Sequence, residues 1–74
     1  MGKLPVLSGE ELIKCLSRAG FQVVRRKGGH VSLQKGDHKT VVPLHYELAK
    51  GTLFGILKQC GLTRRDLTDL LEKT

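Results

Sequence analysis

His30 stands between a basic run, Arg25-Arg26-Lys27, followed by the pair Gly28-Gly29, and an apolar segment, Val31-Ser32-Leu33. A histidine beside fixed cations on a strand edge has the parts needed to bind a phosphodiester and to move protons on it. Imidazole titrates near neutrality, so both its forms are at hand. A well-placed acid or base is typically worth ~10²–10⁴ in rate. Fixed cations answer the charge that builds on phosphoryl oxygens. Arg26 and Lys27 are the candidates for that last role, and Arg25 and Lys35 for binding flanking phosphates. A mechanism with two histidines would draw on His45 or His38, although a strand-end or turn histidine is more often a solvated or capping residue.

Other chemistry finds little support. Cys15 and Cys60 fit no metal or redox spacing and fall at apolar-periodic positions, which makes them reduced core residues. Carboxylates are scarce near the basic centre, so a two-metal nuclease site is not expected. There is no P-loop, dinucleotide fingerprint or nucleophile elbow. No cofactor or metal is implied. Gly28-Gly29 is explained by a hairpin turn that needs positive φ, and it also lets backbone approach a phosphate closely. Phe21 and Phe54 fit core positions, leaving Tyr46 as the one aromatic for base stacking. Recognition of a nucleic acid would then rest on phosphates and shape, with weak sequence preference.

The elements that must hold His30 are legible from periodicity. Residues 1–7 are an extended lead-in, with Pro5 discouraging an early helix. Ser8-Gly9-Glu10-Glu11 is a capping box. Leu12, Ile13, Leu16 and Ala19 follow on one helical face, and Gly20 stops the helix. Residues 21–26, 30–35 and 39–44 are rich in β-formers, separated by turns at Gly28-Gly29 and Gly36-Asp37-His38, which makes an antiparallel meander. Pro43 places the third strand's end at a sheet edge. After a loop over 45–51, a helix from Thr52 carries Leu53, Ile56, Leu57 and Cys60 on one face and ends at Gly61. Thr63 and Asp66 cap a short third helix bearing Leu67, Leu70 and Leu71, expected to pack loosely or to contact a partner. The result is an α+β two-layer sandwich with one sheet face open. If Val31 and Leu33 face the helices, His30, Ser32 and Gln34 face solvent, and a slip of one residue would reverse this. The facing of Arg25 against Arg26 stays open at this level.

With 74 residues the chain makes a single domain over 1–74, too small for a deep cavity, so a site belongs on an open face. Thirteen Lys and Arg against seven Asp and Glu give a net charge of +6, which favours polyanions. Five of those cations lie between residues 21 and 40 beside the single carboxylate Asp37, whereas residues 61–74 are balanced. A solvated basic face accounts for charge excess alone about as well as a binding site does. No apolar run suits a signal peptide or membrane span, and Val6 stands where a myristoylation signal after Met1-Gly2 wants Ser or Thr. A cytoplasmic protein is expected.

The chain resembles the HicA (YcfA-like) toxins of bacterial and archaeal toxin–antitoxin pairs over nearly its whole length. The resemblance rests on Leu4-Pro5, Ser8-Gly9-Glu10-Glu11, Gly20-Phe21 and Val24-Arg25-Arg26-Lys27-Gly28-Gly29-His30. It continues in Val41-Val42-Pro43-Leu44-His45, Lys50-Gly51-Thr52-Leu53 and Ile56-Leu57-Lys58-Gln59-Cys60-Gly61-Leu62. It implies a fold like a double-stranded-RNA-binding domain (dsRBD) and metal-free cleavage of mRNA by an essential histidine in a Gly-Ser-His-type motif, whose position His30 matches. Gly29 replaces the usual Ser. The matching segment also ranks His45 ahead of His38 as a second histidine. A HicB-like antitoxin is the implied protein partner. The alternatives are a non-catalytic RNA-binding module and a protein-interaction domain whose basic face serves a partner alone.

Overall fold

The computed structural model describes residues 6–72, so most of the expected lead-in over 1–7 lies outside the described residues. The order is α1 (Gly9–Arg18), β1 (Gln22–Lys27), β2 (His30–Lys35), β3 (His38–Pro43), α2 (Lys50–Gln59) and α3 (Arg64–Glu72). The three strands form one antiparallel sheet in the order β1-β2-β3. The α+β layering, with a helix, three antiparallel strands and two further helices, is consistent with the dsRBD-like arrangement.

Local chemistry sets the helix ends. The Ser8 hydroxyl accepts from the Glu11 N–H at 3.1 Å, and the Glu11 carboxylate accepts from the Ser8 N–H at 2.9 Å, which completes the capping box. Gly9 opens α1 where the helix meets the end of β3. Its N–H donates to the His45 carbonyl at 2.9 Å, and a Cβ there would run into the Pro43 carbonyl. Only glycine permits that approach. At the other end the Phe21 N–H returns to the Leu16 carbonyl and the Gly20 N–H to Ser17. The same pattern ends α2, from Leu62 to Leu57 and from Gly61 to Lys58. α3 is capped by the Thr63–Asp66 pair, whose carboxylate accepts from the Thr63 N–H at 2.8 Å. That backbone hydrogen bond, helped by the Thr63 hydroxyl, holds Asp66 below the usual carboxylate range.

The core lies between the helices and one face of the sheet. Leu12 and Leu16 of α1 and Leu53, Ile56 and Leu57 of α2 are buried with Val31, Leu33 and Val42 from the strands. Among the described residues Thr40 is the buried polar side chain, and its hydroxyl donates to Gln59 Oε1 at 2.7 Å. Cys15 and Cys60 are buried free thiols, and burial pushes Cys60 up to about 11.

Four expectations need correction. Phe54 is 40% exposed rather than core, with the Arg64 guanidinium over its ring at 5.9 Å. α3 is no loose appendage, because Leu67 is fully buried, Leu70 and Leu71 pack against the core, and the helix lies against α1. His38 opens β3 instead of lying in the turn, and its Nδ1 lies 3.2 Å from the Gln59 carbonyl. α2 begins at Lys50, two residues before Thr52.

Candidate nucleic-acid interface

The face of the sheet turned away from the helices carries the candidate residues, and a β-bulge decides which of them. Val23 pairs with Leu33, but the next pair along is Arg25 with Ser32, so Val24 is an extra residue in β1. An unbroken ladder would set Val24 opposite Ser32 and Arg26 opposite His30. The bulge shifts the rest of β1 by one position. Lys27 therefore stands directly across from His30, Arg25 across from Ser32, and Arg26 across from the buried Val31. Cross-strand partners share a face, so Arg25 and Lys27 join the open face and Arg26 the opposite one. β2 keeps strict alternation, with Val31 and Leu33 buried and His30, Ser32 and Gln34 turned outward.

His30 is exposed at the first position of β2, flanked by Lys27 on β1 and Pro43 on β3. The turn that aims it has two residues. Gly28 takes φ +58° at the first, a value glycine accepts without strain, whereas Gly29 is not in the left-handed region. A Cβ at Gly29 would meet nothing within 4 Å. Its carbonyl accepts from the Leu44 N–H at 2.7 Å, which ties the chain leading to His45 to the same end of the sheet. The His45 carbonyl in turn accepts from Gly9. His38 begins the far end of β3, five residues and ~17 Å of strand from Pro43. The structure thus gathers His30, Lys27, the Gly28-Gly29 turn and the His45 backbone at one end, with His38 at the other.

The remaining cations divide by face. Lys35 Nζ donates to the Ala19 carbonyl at 2.6 Å and packs over Gly20, so it completes the end of α1 rather than joining the open face. Lys39, one of the five cations of the basic middle but not among the phosphate-binding candidates, lies opposite Gln34 and extends the basic row begun by Lys27 and Arg25. A shallow depression of about 530 Å³ lies next to His30's row, lined chiefly by Val24, Arg25, Ser32, Gln34, Lys39 and Val41. Leu33, Thr40 and Gln59, which belong to the helix-facing side, border it from beneath. Strand alternation alone would have found Lys39 and Val41. The bulge at Val24 had no signal in the sequence. Among the described residues, no group of three His, Cys, Asp or Glu side chains is arranged to hold a metal ion.

Fold and site define a small basic α+β protein that presents a histidine and a row of cations on a bare sheet face. The family model described as the HicA toxin of bacterial toxin–antitoxin matches residues 9–62, a span that holds all three strands and α2, and the chain belongs to the HicA toxin family. It is thus a toxin of the toxin–antitoxin kind, with an antitoxin as its counterpart. No curated protein shows a significant match to the chain. No helix among the described residues is long and apolar enough to cross a membrane.

Proposed function

We propose that this chain is an mRNA interferase, a metal-independent endoribonuclease whose general acid and base chemistry is carried by His30. The observation that supports it most is the exposed His30 with Lys27 directly across the ladder and Arg25 on the same face. An RNA strand laid over this face brings its own nucleophile, the 2′-OH. His30 takes the 2′ proton, the 2′-oxygen bonds to the adjacent phosphorus, and the bond to the 5′-oxygen breaks as that oxygen gains a proton. The products are a 2′,3′-cyclic phosphate and a free 5′-OH, and no redox partner is required. Lys27 and Arg25 answer the charge that grows on the phosphoryl oxygens. His45 is the candidate second imidazole, since its backbone is tied to the same end of the sheet. A HicB-like antitoxin that covers this face would stop the reaction, and an acidic surface on it would suit the cations. The cytoplasm, where mRNA is available, is the fitting compartment.

Purified protein should cleave mRNA in the presence of EDTA, and His30→Ala should lower the rate by ~10²–10⁴. Gel analysis of cleavage products reads both effects. Cleavage abolished by EDTA, or unchanged by His30→Ala in folded protein, counts against the reading.

A second reading, a non-catalytic RNA-binding module, is favoured by Gly29, which leaves no side-chain hydroxyl beside His30 to orient the ring or a phosphate. It keeps RNA binding through the same cations and has no strand scission under any condition.

A further inference from the structure

The depression beside His30 has a lining that phosphate binding does not explain. Val24 is 57% exposed and Val41 47% exposed, two apolar side chains set among the basic and polar residues of the open face. They flank Ser32 in the same row, because the bulge sets both Val24 and Arg25 against Ser32 while Val41 pairs with it from β3. The Gln34 amide N–H donates to the Gly36 carbonyl at 3.1 Å, which leaves its oxygen to accept. Ser32 adds a half-buried hydroxyl that serves either way. Cations flank the apolar pair, Arg25 on one strand and Lys39 on the other.

Apolar walls, a fixed acceptor beside a hydroxyl, and flanking positive charge together suit a nucleotide and suit neither a bare phosphate nor an aliphatic ligand. The volume of about 530 Å³ falls in the range of small-molecule sites, ~300–1,000 Å³. Ser32 is two residues along β2 from His30, about 7 Å.

We propose that this depression is a base-binding subsite that takes one nucleobase of single-stranded RNA next to the phosphodiester presented to His30, and so selects which bond is cut. The inference rests on the ribonuclease reading and gives it a sequence preference, where the sequence alone predicts little. The base lies between Val24 and Val41, its edge meets Ser32 and Gln34, and Arg25 and Lys39 hold the flanking phosphates.

The test uses full-length His30→Ala protein, which binds without cutting. Fluorescence anisotropy measures its affinity for one short oligoribonucleotide and for a set in which a single abasic residue is walked along the strand. Loss of the base at one position should weaken binding about tenfold, the equivalent of ~1.4 kcal/mol, with little change elsewhere. Val41→Lys in the same background fills the depression without removing positive charge, and it should erase that positional effect by bringing the intact strand down to about the affinity of the abasic one. If Val41→Lys fails to fold by circular dichroism, Ser32→Ala and Gln34→Ala take its place. An abasic profile that is flat overturns the subsite, and so does a positional effect that survives every one of these substitutions. Val41→Lys that leaves the profile intact but abolishes binding of the cognate antitoxin assigns the depression to the protein partner and also overturns it. Base-blind binding alongside EDTA-resistant cleavage by the wild type sinks the subsite alone. Absence of any RNA binding or cleavage sinks the ribonuclease reading and the subsite with it.

Discussion

The cation that faces an imidazole is worth more to a phosphoryl transfer than one on the reverse of the same strand, because charge stabilisation falls off with distance and is screened by water. Lys27 and Arg26 are adjacent in sequence and so lie on opposite faces, and the bulge at Val24 makes Lys27 the one that shares the face of His30. Lys27→Ala is therefore expected to slow RNA cleavage by roughly 10- to 100-fold, on the scale of one lost electrostatic contact to the transition state. Arg26→Ala should change the rate by less than about threefold, an effect of general charge alone. Single-turnover kinetics on one RNA substrate separates the two, and equal losses would mean that the register at His30 does not govern the chemistry. Gly29 offers a complementary gain. Its φ lies outside the left-handed region and a Cβ there meets open space, so a serine fits without strain. Gly29→Ser places a hydroxyl next to His30 and should raise the cleavage rate by up to about tenfold, the value of one added hydrogen bond to a charged group. No change in that rate would remove the hydroxyl from the account of this site. The position of His30 on the open face was legible, because β2 alternates cleanly between buried and exposed residues. The partner across the ladder was not, since Val23 and Val24 are both β-formers and either can be the one that faces the core.

At the level of elements, sequence punctuation and structure agree wherever a side chain or a glycine acts on its own neighbours. Ser8 with Glu11, Thr63 with Asp66, and the stops at Gly20 and Gly61 are all contacts over a few residues, and each forms as expected. What the pattern missed depends on distant partners. α2 starts at Lys50 without a capping side chain, because Ala49 holds the extended N-cap conformation and offers no acceptor. With nothing polar to mark it, that start was invisible to a search for caps. Phe54 matched the apolar spacing of α2, yet the helix turns it outward to meet Arg64 across the α2–α3 junction. Leu67 is buried because α1 lies across it, a packing that nine residues of α3 cannot announce. The bare N-terminus of α2 yields a prediction of its own. Its first turn contains no acidic residue and begins with Lys50, so orphan N–H groups and the positive end of the helix dipole are both uncompensated. Ala49→Asp keeps the backbone conformation and supplies an acceptor, and it should stabilise the protein by ~1 kcal/mol. Thermal unfolding at neutral pH reads this as a rise in Tm, whereas an unchanged Tm would mean that another group already satisfies that helix end.

For the molecule as a whole, the question is how much of the +6 charge reaches an RNA strand. The structure divides the strand cations by use. Arg25, Lys27 and Lys39 share the open face, Arg26 turns to the other, and Lys35 is committed to the Ala19 carbonyl. If the RNA lies along the open face, about three phosphates are neutralised, and counterion release gives a slope of roughly −2 for log affinity against log salt with a single strand. Lys39→Ala should flatten that slope by about 0.7, the share of one phosphate contact. Lys35→Ala removes the same formal charge but leaves the slope unchanged, because its ammonium never meets the RNA. Its cost appears in Tm instead, through the lost hydrogen bond at the end of α1. The pair separates a charge acting through position from one acting through the total. Binding titrations of His30→Ala protein at several salt concentrations, with each lysine substitution added, make the comparison. Equal flattening by the two substitutions would show that the protein attracts RNA as a diffuse cation and not through one face. A much steeper slope for the parent protein would bring Arg26 or the helix cations into the interface and would enlarge the footprint beyond the sheet.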